Sequence, residues 1–330
     1  MAWEPLVSVV LPSRDRPERL ARALRSVLAQ DHRRLEVLVV DDASEVPARA
    51  VVERVGAGDD RVRVDRSERN IGAGAARNRA LGVARGEVVA FLDDDDRWEP
   101  TKVRRQVGLL STRPEVGIVT CHYRIERELG SGRATSGGGA VRAGGAVHRG
   151  PDRVEAGQLL WFNLPGSFLC GMVRREAVEG ELWLDEGFPS VEDWDFWVRC
   201  ARGTAIGVVP EVLAVLTVHG GGRRSDPASE AAGLAVFAER HGEAMSGVGR
   251  AYQRAHREMA GGTGWGHRAA VLRALASSSP RASALLLAEQ GARQLGRLWG
   301  DPGLVERTLA RLVPGEVPGQ VAGERAGARR

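Results

Sequence analysis

Four consecutive aspartates, Asp93, Asp94, Asp95 and Asp96, follow an apolar run at residues 88–92. Adjacent carboxylates repel one another, and the run before them is too apolar for a solvated acidic loop, so a counter-cation is the economical explanation. Mg²⁺ and Mn²⁺ prefer such oxygen ligands and keep positions open for phosphate oxygens. The cluster therefore predicts a metal and diphosphate site. The alternative is an acidic turn ahead of a helix at Pro100, with Asp96 at the helix N-terminus.

A second acidic group consists of Glu192, Asp193 and Asp195, and Ser190 before it is a candidate helix cap. Acids in a first helical turn can simply complement the helix dipole. An aromatic setting, however, raises the basicity of a carboxylate and suits a general base. Position alone leaves both interpretations open. The aromatic residues interleaved with these acids are Trp194, Phe196 and Trp197.

The segment NIGAGAARN at residues 70–78 has small residues at the start of a predicted helix and Arg77 one turn later. Small residues let a ligand approach the backbone, and helix N-termini attract phosphate. The segment is not a dinucleotide fingerprint, because Arg77 stands where the third glycine should be and the pattern belongs after a first strand. An ordinary helix that starts with glycine is the alternative.

The elements that would position these residues alternate between strand and helix. Buried strands are predicted at 7–11 and 35–40, with a helix from Pro17 between them, which is a βαβ unit. The pattern repeats, and acidic residues follow several of the strands, at the sheet edge where ligands bind. Asp15, Asp41 and Asp42 belong to this edge. Further strands are predicted at 62–64, 88–92 and 116–121, and helices at 47–55, 74–84 and 100–111.

The alternation stops at a glycine-rich segment, residues 130–150, which is predicted to be a mobile loop. Beyond it we expect apolar segments, a helix at 191–201, and helices again from residue 226. The predicted division is a catalytic domain at 1–225, a helical region at 226–313 and a disordered polar tail at 314–330. The first of these divides again into residues 1–125 and 126–225. The apolar segments lie at 159–162, 168–173 and 212–218.

Composition excludes several classes of protein. The 330 residues are 43% hydrophobic, and the three cysteines are too far apart for a zinc or redox motif. No secretory signal or membrane-spanning run is evident, which predicts a soluble, cytoplasmic protein. The net charge of +4 comes without basic clusters interleaved with aromatics, so we expect no nucleic-acid partner.

Taken together, the motifs resemble the family 2 glycosyltransferases of the GT-A fold. The resemblance covers roughly residues 6–225 and implies an α/β fold with a Rossmann-like, mostly parallel sheet flanked by helices. A helical C-terminal extension would follow. The matching segments, in family order, are VSVVLPSRDRPERLARALRSVLAQ, LEVLVVDDAS, NIGAGAARNRAL, GEVVAFLDDDDRWEP and SVEDWDFWVRCA.

The resemblance also implies that residues 1–125 bind the nucleotide-sugar donor and residues 126–225 the acceptor, and it assigns roles on the donor side. Asp42 would accept a hydrogen bond from the base, most often uracil, and Asp94 would face the ribose. Asp93, Asp94 and Asp95 match the family's acidic motif, in which Asp95 would hold Mn²⁺ or Mg²⁺. The other residues implied to bind the nucleotide sugar are Pro12, Arg14, Asp15, Arg77 and Asp93.

On the acceptor side, the resemblance implies a catalytic pair at Glu192 and Asp193, with Asp193 as the base. His219 follows a late strand and would lie near the pyrophosphate or the metal. No familiar acceptor signature occurs between Trp161 and Glu192.

The expected activity is transfer of a sugar, with inversion, from a nucleotide sugar to a hydroxyl acceptor. UDP is the favoured nucleotide, with dTDP and GDP as alternatives. Natural-product tailoring and surface glycan synthesis both fit, and the C-terminal helices are a candidate homodimer interface. One rival is a nucleotidyltransferase, although PSRDRPE lacks the glycines of its phosphate loop. The other rival is a non-catalytic nucleotide-sugar scaffold.

Overall fold

A computed structural model defines the fold over most of the chain. The tail at 314–330 and most of the glycine-rich segment lie outside the residues that it describes. The described residues are 3–56, 58–128, 141–142, 146–161, 163, 167–219 and 227–260, with isolated positions between 271 and 312.

Residues 7–91 contain four parallel strands in the order β3-β2-β1-β4. Every residue of β1 and β2 is buried, as their uninterrupted apolar sequences predict. Strand β3 is half-buried because it lies at the sheet edge and has only one neighbour, β2. These strands are β1 (Val7–Ser13), β2 (Leu35–Asp41), β3 (Val62–Arg66) and β4 (Val88–Phe91).

The later strands extend the same sheet, and two of them, β6 and β10, are long and parallel to each other. Between them and β4 lies the short strand β9, antiparallel to both β4 and β6, so β6 and β10 run in the direction of β1–β4. The long strands therefore form the mostly parallel sheet that was predicted. The strands are β5 (Arg97–Trp98), β6 (Val116–Glu128), β7 (Val141–Arg142), β8 (Val147–His148), β9 (Met172–Arg174) and β10 (Ala205–Val218).

Several predicted segments differ from the observed elements. Strand β10 begins at Ala205 rather than at 212, because its first half pairs with β6. The apolar segment at 159–162 belongs in part to a 3-10 helix, Ala156–Leu160. Only the last two residues of 168–173 are in a strand, and Phe168 instead packs on Phe91. Within 130–150, β7 and β8 pair with β6, so these parts are not structureless.

The helices begin close to where the sequence predicts. Helix α1 starts at Pro17, whose fixed φ suits a first helical turn. Helix α5 follows Val191 in a left-handed conformation (φ 59°), and no side chain caps it, so the predicted cap at Ser190 is wrong. The helices are α1 (Pro17–Leu28), α2 (Ala48–Val55), α3 (Gly72–Val83), α4 (Lys102–Thr112), α5 (Glu192–Cys200), α6 (Pro227–His241) and α7 (Gly247–Ala260).

Two apolar clusters cover the two faces of the sheet, as alternating strand residues require. Val9 belongs to one cluster and its neighbour Val10 to the other. The cluster that contains Val10 and Phe91 also includes Phe237 of α6 and Tyr252 of α7. The C-terminal helices α6 and α7 therefore share a core with the sheet that carries the acidic cluster.

Phe91 offers a test of this shared core. It is fully buried, with its ring centroid 4.5 Å from that of Phe168 and 5.2 Å from that of Phe196. We expect Phe91→Ala to lower the free energy of unfolding by about 3–5 kcal/mol in denaturant titrations, because it leaves a cavity. Val46→Ala is the control, since Val46 is 52% exposed. Equal effects of the two substitutions would contradict the packing described.

Candidate active site

A pocket of about 540 Å³ opens at the carboxyl ends of β1, β2 and β4. This is the sheet edge where ligands bind in open α/β folds. The structure brings eight of the predicted site residues to its wall. They are Pro12, Arg14, Asp15, Asp42, Arg77, Asp93, Asp94 and Asp95.

Asp42 joins the pocket to the start of α3. Its carboxylate accepts hydrogen bonds from the backbone N–H groups of Ile71 (2.7 Å) and Gly72 (3.0 Å). Gly72 has a φ of +85°, which glycine adopts without strain. The predicted base-binding carboxylate therefore also fixes the glycine-rich turn opposite it.

The first two aspartates of the acidic cluster are bound by separate groups. Asp93 accepts a hydrogen bond from Arg77 Nη2 at 2.6 Å. Asp94 accepts one from Ser13 Oγ (2.8 Å) and one from Arg16 Nη1 (2.9 Å). Burial raises the pKa of Asp94 to about 6, and Arg16 opposes this shift.

The last two aspartates diverge. Asp95 Oδ2 lies 2.7 Å from Arg16 Nη1 and 2.9 Å from His219 Nε2. Asp96 instead points into the sheet, where it accepts a hydrogen bond from the Thr217 N–H (2.8 Å). Burial, reinforced by the neighbouring carboxylates, raises the pKa of Asp96 well above its ordinary value. Asp96 therefore has a structural position in the sheet, and its proposed role at the start of the next helix is wrong.

Arg16 is a site residue that the sequence interpretation missed. One of its guanidinium nitrogens bridges Asp94 and Asp95. Together with Arg77 it supplies positive charge to the cluster, so carboxylate repulsion by itself does not require a metal ion. The sequence feature that could have identified Arg16 is its position in PSRDRPE, at the end of the first strand together with Arg14 and Asp15.

Metal ligands are few within the protein itself. Among the described residues, no three histidine, cysteine, aspartate or glutamate side chains converge to hold an ion. Asp95 Oδ2 and His219 Nε2 are nonetheless adjacent, at 2.9 Å. An oxygen and an imidazole nitrogen fit Mn²⁺, with the remaining positions left for ligands from a bound diphosphate.

Arg77 connects the pocket to the second acidic group. Its side chain is 5% exposed, and it donates hydrogen bonds to Asp93 (2.6 Å) and Glu192 (3.2 Å). The guanidinium also lies over the Phe168 ring, 4.6 Å from its centroid. The predicted donor site and the predicted catalytic pair are thus parts of one continuous site.

Asp193 has the environment of a general base. Burial and the adjacent Glu192 raise its pKa to about 7, while hydrogen bonds and the charge of Arg77 oppose the shift. A carboxylate with a pKa near the working pH accepts a proton efficiently while a substantial fraction of it is still ionised. The environment of Asp193, at the first turn of α5, is therefore compatible with the predicted role of general base.

Asp195, the third acid of the group, faces away from the pocket. It is fully buried and bound by Arg199 Nε (2.8 Å), with His241 Nε2 also at 2.8 Å. These partners compensate the negative charge of Asp195. They lower its pKa, although burial acts to raise it. The acidic group thus separates into a pair that faces the site and a structural member, Asp195.

The family follows from sequence comparison. A profile described as Glycosyl transferase family 2 matches residues 8–180, which is more than half of the chain. The chain belongs to glycosyl transferase family 2.

Curated relatives in this family include proteins named for surface glycan synthesis. "Putative teichuronic acid biosynthesis glycosyltransferase TuaG" of Bacillus subtilis is 40% identical over 111 residues, 34% of this chain and 44% of the relative. "UDP-Glc:alpha-D-GlcNAc-diphosphoundecaprenol beta-1,3-glucosyltransferase WfaP" of Escherichia coli is 29% identical over 124 residues, 38% of this chain and 48% of the relative. The matches thus span less than half of either relative.

Solved structures show that the fold is that of the GT-A glycosyltransferases. Staphylococcus aureus TarS 1-349 in complex with UDP-GlcNAc has a TM-score of 0.58 at 17% identity, covering 92% of this chain and 90% of that chain. The mannosyltransferase PcManGT from Pyrobaculum calidifontis, in complex with GDP-Man and Mn2+, has a TM-score of 0.59 at 22% identity, covering 94% and 86%. In this family 2 protein, none of the described helices is both long and apolar enough to cross a membrane.

Asn163 is a second residue of this candidate site that sequence reasoning missed. Its Nδ2 donates a hydrogen bond to Asp193 Oδ2 at 2.9 Å. Its Oδ1 is buried and has no hydrogen-bond partner among the described residues. Asn163 lies 30 residues before Asp193, and a single asparagine within an apolar segment gave no signal of this contact.

The raised pKa of Asp193 predicts how stability responds to pH. Because this pKa rises from 3.8 to about 7, the folded state binds the proton more tightly than the unfolded chain does. The wild type therefore loses stability as pH rises from about 4 to about 7. The Asp193→Asn variant would have no such loss, and Asn163 can turn its amide to pair with the new amide. We expect Asp193→Asn to raise Tm more at pH 8 than at pH 5, and equal changes would contradict the shift.

Proposed function

We propose that this family 2 protein is a metal-dependent, inverting glycosyltransferase that transfers a sugar from a nucleotide sugar to a hydroxyl acceptor. The proposal depends most on the environment of Asp193, whose pKa of about 7 suits a base. Its neighbour Glu192 and Arg77 connect it to the acidic cluster that lines the pocket. A base next to a donor pocket is what transfer to a hydroxyl requires.

The proposed reaction is a single in-line displacement at the anomeric carbon. The acceptor oxygen forms its bond to that carbon while the bond to the diphosphate oxygen breaks. Asp193 takes the acceptor proton as the oxygen attacks, so it must be ionised beforehand. Asn163 holds Asp193 Oδ2 in place and stabilises its charged form, because it donates a hydrogen bond to that oxygen.

On the donor side, we propose that Pro12, Arg14 and Asp15 border the base and that Asp42 accepts a hydrogen bond from it. The carboxylate oxygens of Asp42 keep further lone pairs beside the two backbone donors that they bind. Asp94 would face the ribose. Arg77 would hold Asp93 and Glu192 in register across the site rather than contact phosphate itself, since both ends of its guanidinium are engaged.

Asp95 and His219 are the proposed ligands of Mn²⁺ or Mg²⁺. The ion, when bound, would stabilise the negative charge that develops on the departing diphosphate. Arg16 would have to share Asp95 with that ion or move from it, because Arg16 Nη1 lies 2.7 Å from Asp95 Oδ2.

The similar proteins support a donor and a pathway. The name of WfaP specifies UDP-Glc, and TarS was solved with UDP-GlcNAc, whereas PcManGT was solved with GDP-Man. We therefore propose a UDP-sugar donor, with GDP and dTDP sugars as alternatives. The relative named for teichuronic acid favours surface glycan synthesis over natural-product tailoring. A cytoplasmic location and a homodimer through the C-terminal helices complete the proposal.

Thermal unfolding with UDP, GDP and dTDP, each with and without Mn²⁺, tests the donor site. A ligand at 100 times its Kd should stabilise the folded protein by about 2.7 kcal/mol. We expect the largest increase in Tm with UDP and Mn²⁺, and loss of the metal-dependent part in Asp95→Ala.

Glu181→Ala is the matched control, because Glu181 is exposed and remote in sequence from the pocket residues. It should respond as the wild type does. No stabilisation by any diphosphate would contradict the proposed donor site and favour a protein that does not bind nucleotide sugars. A shift that persists in Asp95→Ala would contradict the proposed metal ligand.

A further inference from the structure

The two C-terminal helices contact the two segments that meet at the hydrogen bond between Asn163 and Asp193. Helix α6 packs against the residues just before α5, which carries Asp193. Helix α7 contacts the backbone just before Asn163. The contacts of α6 and α7 therefore fall on the two segments that carry the partners of this bond.

The contact between α6 and α5 depends on a glycine. The backbone of Gly233 lies so close to Ser190 that a Cβ at Gly233 would overlap Ser190 O, and would lie 2.9 Å from Ser190 C and 3.1 Å from Val191 Cγ2. Val191 itself has a φ of 59°, which is strained for a β-branched residue and persists only where its surroundings enforce it. Gly233 is part of those surroundings.

Side chains lock the same two helices together. The rings of Phe237 and Trp194 have centroids 4.4 Å apart. His241 and Arg240, at the end of α6, lie 2.8 Å and 3.3 Å from Asp195. Asp195 faces away from the pocket, so these contacts fix the orientation of α5 from the side opposite to Asp193.

Helix α7 holds the other segment through Gln253 and Tyr252. Gln253 Nε2 donates hydrogen bonds to the carbonyls of Leu160 (2.9 Å) and Trp161 (3.0 Å). Tyr252 packs on Trp161, with ring centroids 5.7 Å apart. Trp161 is two residues before Asn163, so the position of the Asn163 amide depends on this anchor.

We propose that α6 and α7 position the base of the reaction, with Gly233 and Gln253 as positioning residues for Asp193 and Asn163. The inference rests on the proposed function and assigns a role to the C-terminal region. Among the described residues that line the pocket, neither Gly233 nor Gln253 is found. Both act through the backbone that carries the Asn163–Asp193 pair. A displacement of about 1 Å at a reacting group can cost about 10²-fold in rate, so small shifts here have large effects.

Gly233→Ala and Gln253→Met test the proposal, with Gly242→Ala as the matched control. Alanine is a better helix former than glycine by about 1 kcal/mol, so any harm from Gly233→Ala must come from its contact with Ser190. Methionine preserves the volume of Gln253 but donates no hydrogen bond. A Cβ at Gly242, just after α6, would meet nothing within 4 Å.

The first readout is steady-state release of nucleoside diphosphate from the donor. We expect Gly233→Ala and Gln253→Met to lower kcat by about 10- to 100-fold while the donor KM stays within about twofold. Gly242→Ala should behave as the wild type. A kcat close to that of the wild type in a folded Gly233→Ala protein would overturn the proposal, and so would a parallel loss of donor binding.

The second readout needs no turnover, so it separates this proposal from the proposed function. The change in Tm that Asp193→Asn causes is measured at pH 5 and at pH 8, first in the wild type and then in each of the three variants. The gain is the difference between these two changes. This gain depends on the surroundings of Asp193. Its charged and titratable neighbours are Glu192 and Arg77, and the Asn163 amide donates a hydrogen bond to it. We expect the gain to change in Gly233→Ala and Gln253→Met but not in Gly242→Ala. An unchanged gain in all three would overturn the proposal, whereas a wild type without turnover would count against the proposed function alone.

Discussion

The buried guanidinium of Arg77 joins the two halves of the site. It comes from α3, pairs with Asp93 at the end of β4 and with Glu192 at the start of α5, and lies over the Phe168 ring. A buried charge without partners is strongly destabilising, so these elements must keep their relative positions for the protein to fold. The same pairing connects the pocket to the segment that carries Asp193, the proposed base. Stability and the proposed catalytic geometry therefore depend on one side chain.

Charge balance explains how the acidic wall can exist in a folded protein. Arg77 neutralises Asp93, Arg16 bridges Asp94 and Asp95, and Asp96 is satisfied by a backbone N–H. The cluster is thus paired without a metal ion, although Asp95 and His219 remain adjacent and chemically suited to one. Asp193 differs from Asp93, Asp94 and Asp95 in its hydrogen-bond donors, which are an amide and a backbone N–H rather than a guanidinium. Burial raises the pKa of Asp193 to about 7 and that of Asp94 to about 6, so the pairing of the carboxylates, and not burial alone, distinguishes the proposed base from the acidic cluster.

Short sequence patterns were sufficient to predict the strands and helices that depend on local sequence alone. The buried strands β1 and β2, the helix that starts at Pro17 and the acidic residues at strand ends all follow from short apolar runs and their termini. Contacts between distant segments could not be predicted in this way. Strand β10 is long because β6 lies beside it, Arg16 reaches the cluster across 78 residues, and Asn163 reaches Asp193 across 30. The prediction of a cap at Ser190 was wrong because tertiary packing, with Gly233 against the Ser190 backbone, sets the conformation before α5.

The single-turnover rate of sugar transfer by Asp193→Asn tests the central claim most directly, with saturating donor and nucleotide affinity measured in parallel. Water serves as the acceptor where no other is known, and release of nucleoside diphosphate is followed. A positioned base contributes about 10²–10⁴-fold, so the rate should fall by that factor while donor affinity is unchanged. Glu181→Gln, an exposed carboxylate outside the site, should leave both unaltered. A rate for Asp193→Asn within a few-fold of the wild type, with donor binding intact, would contradict the assignment of Asp193 as the base.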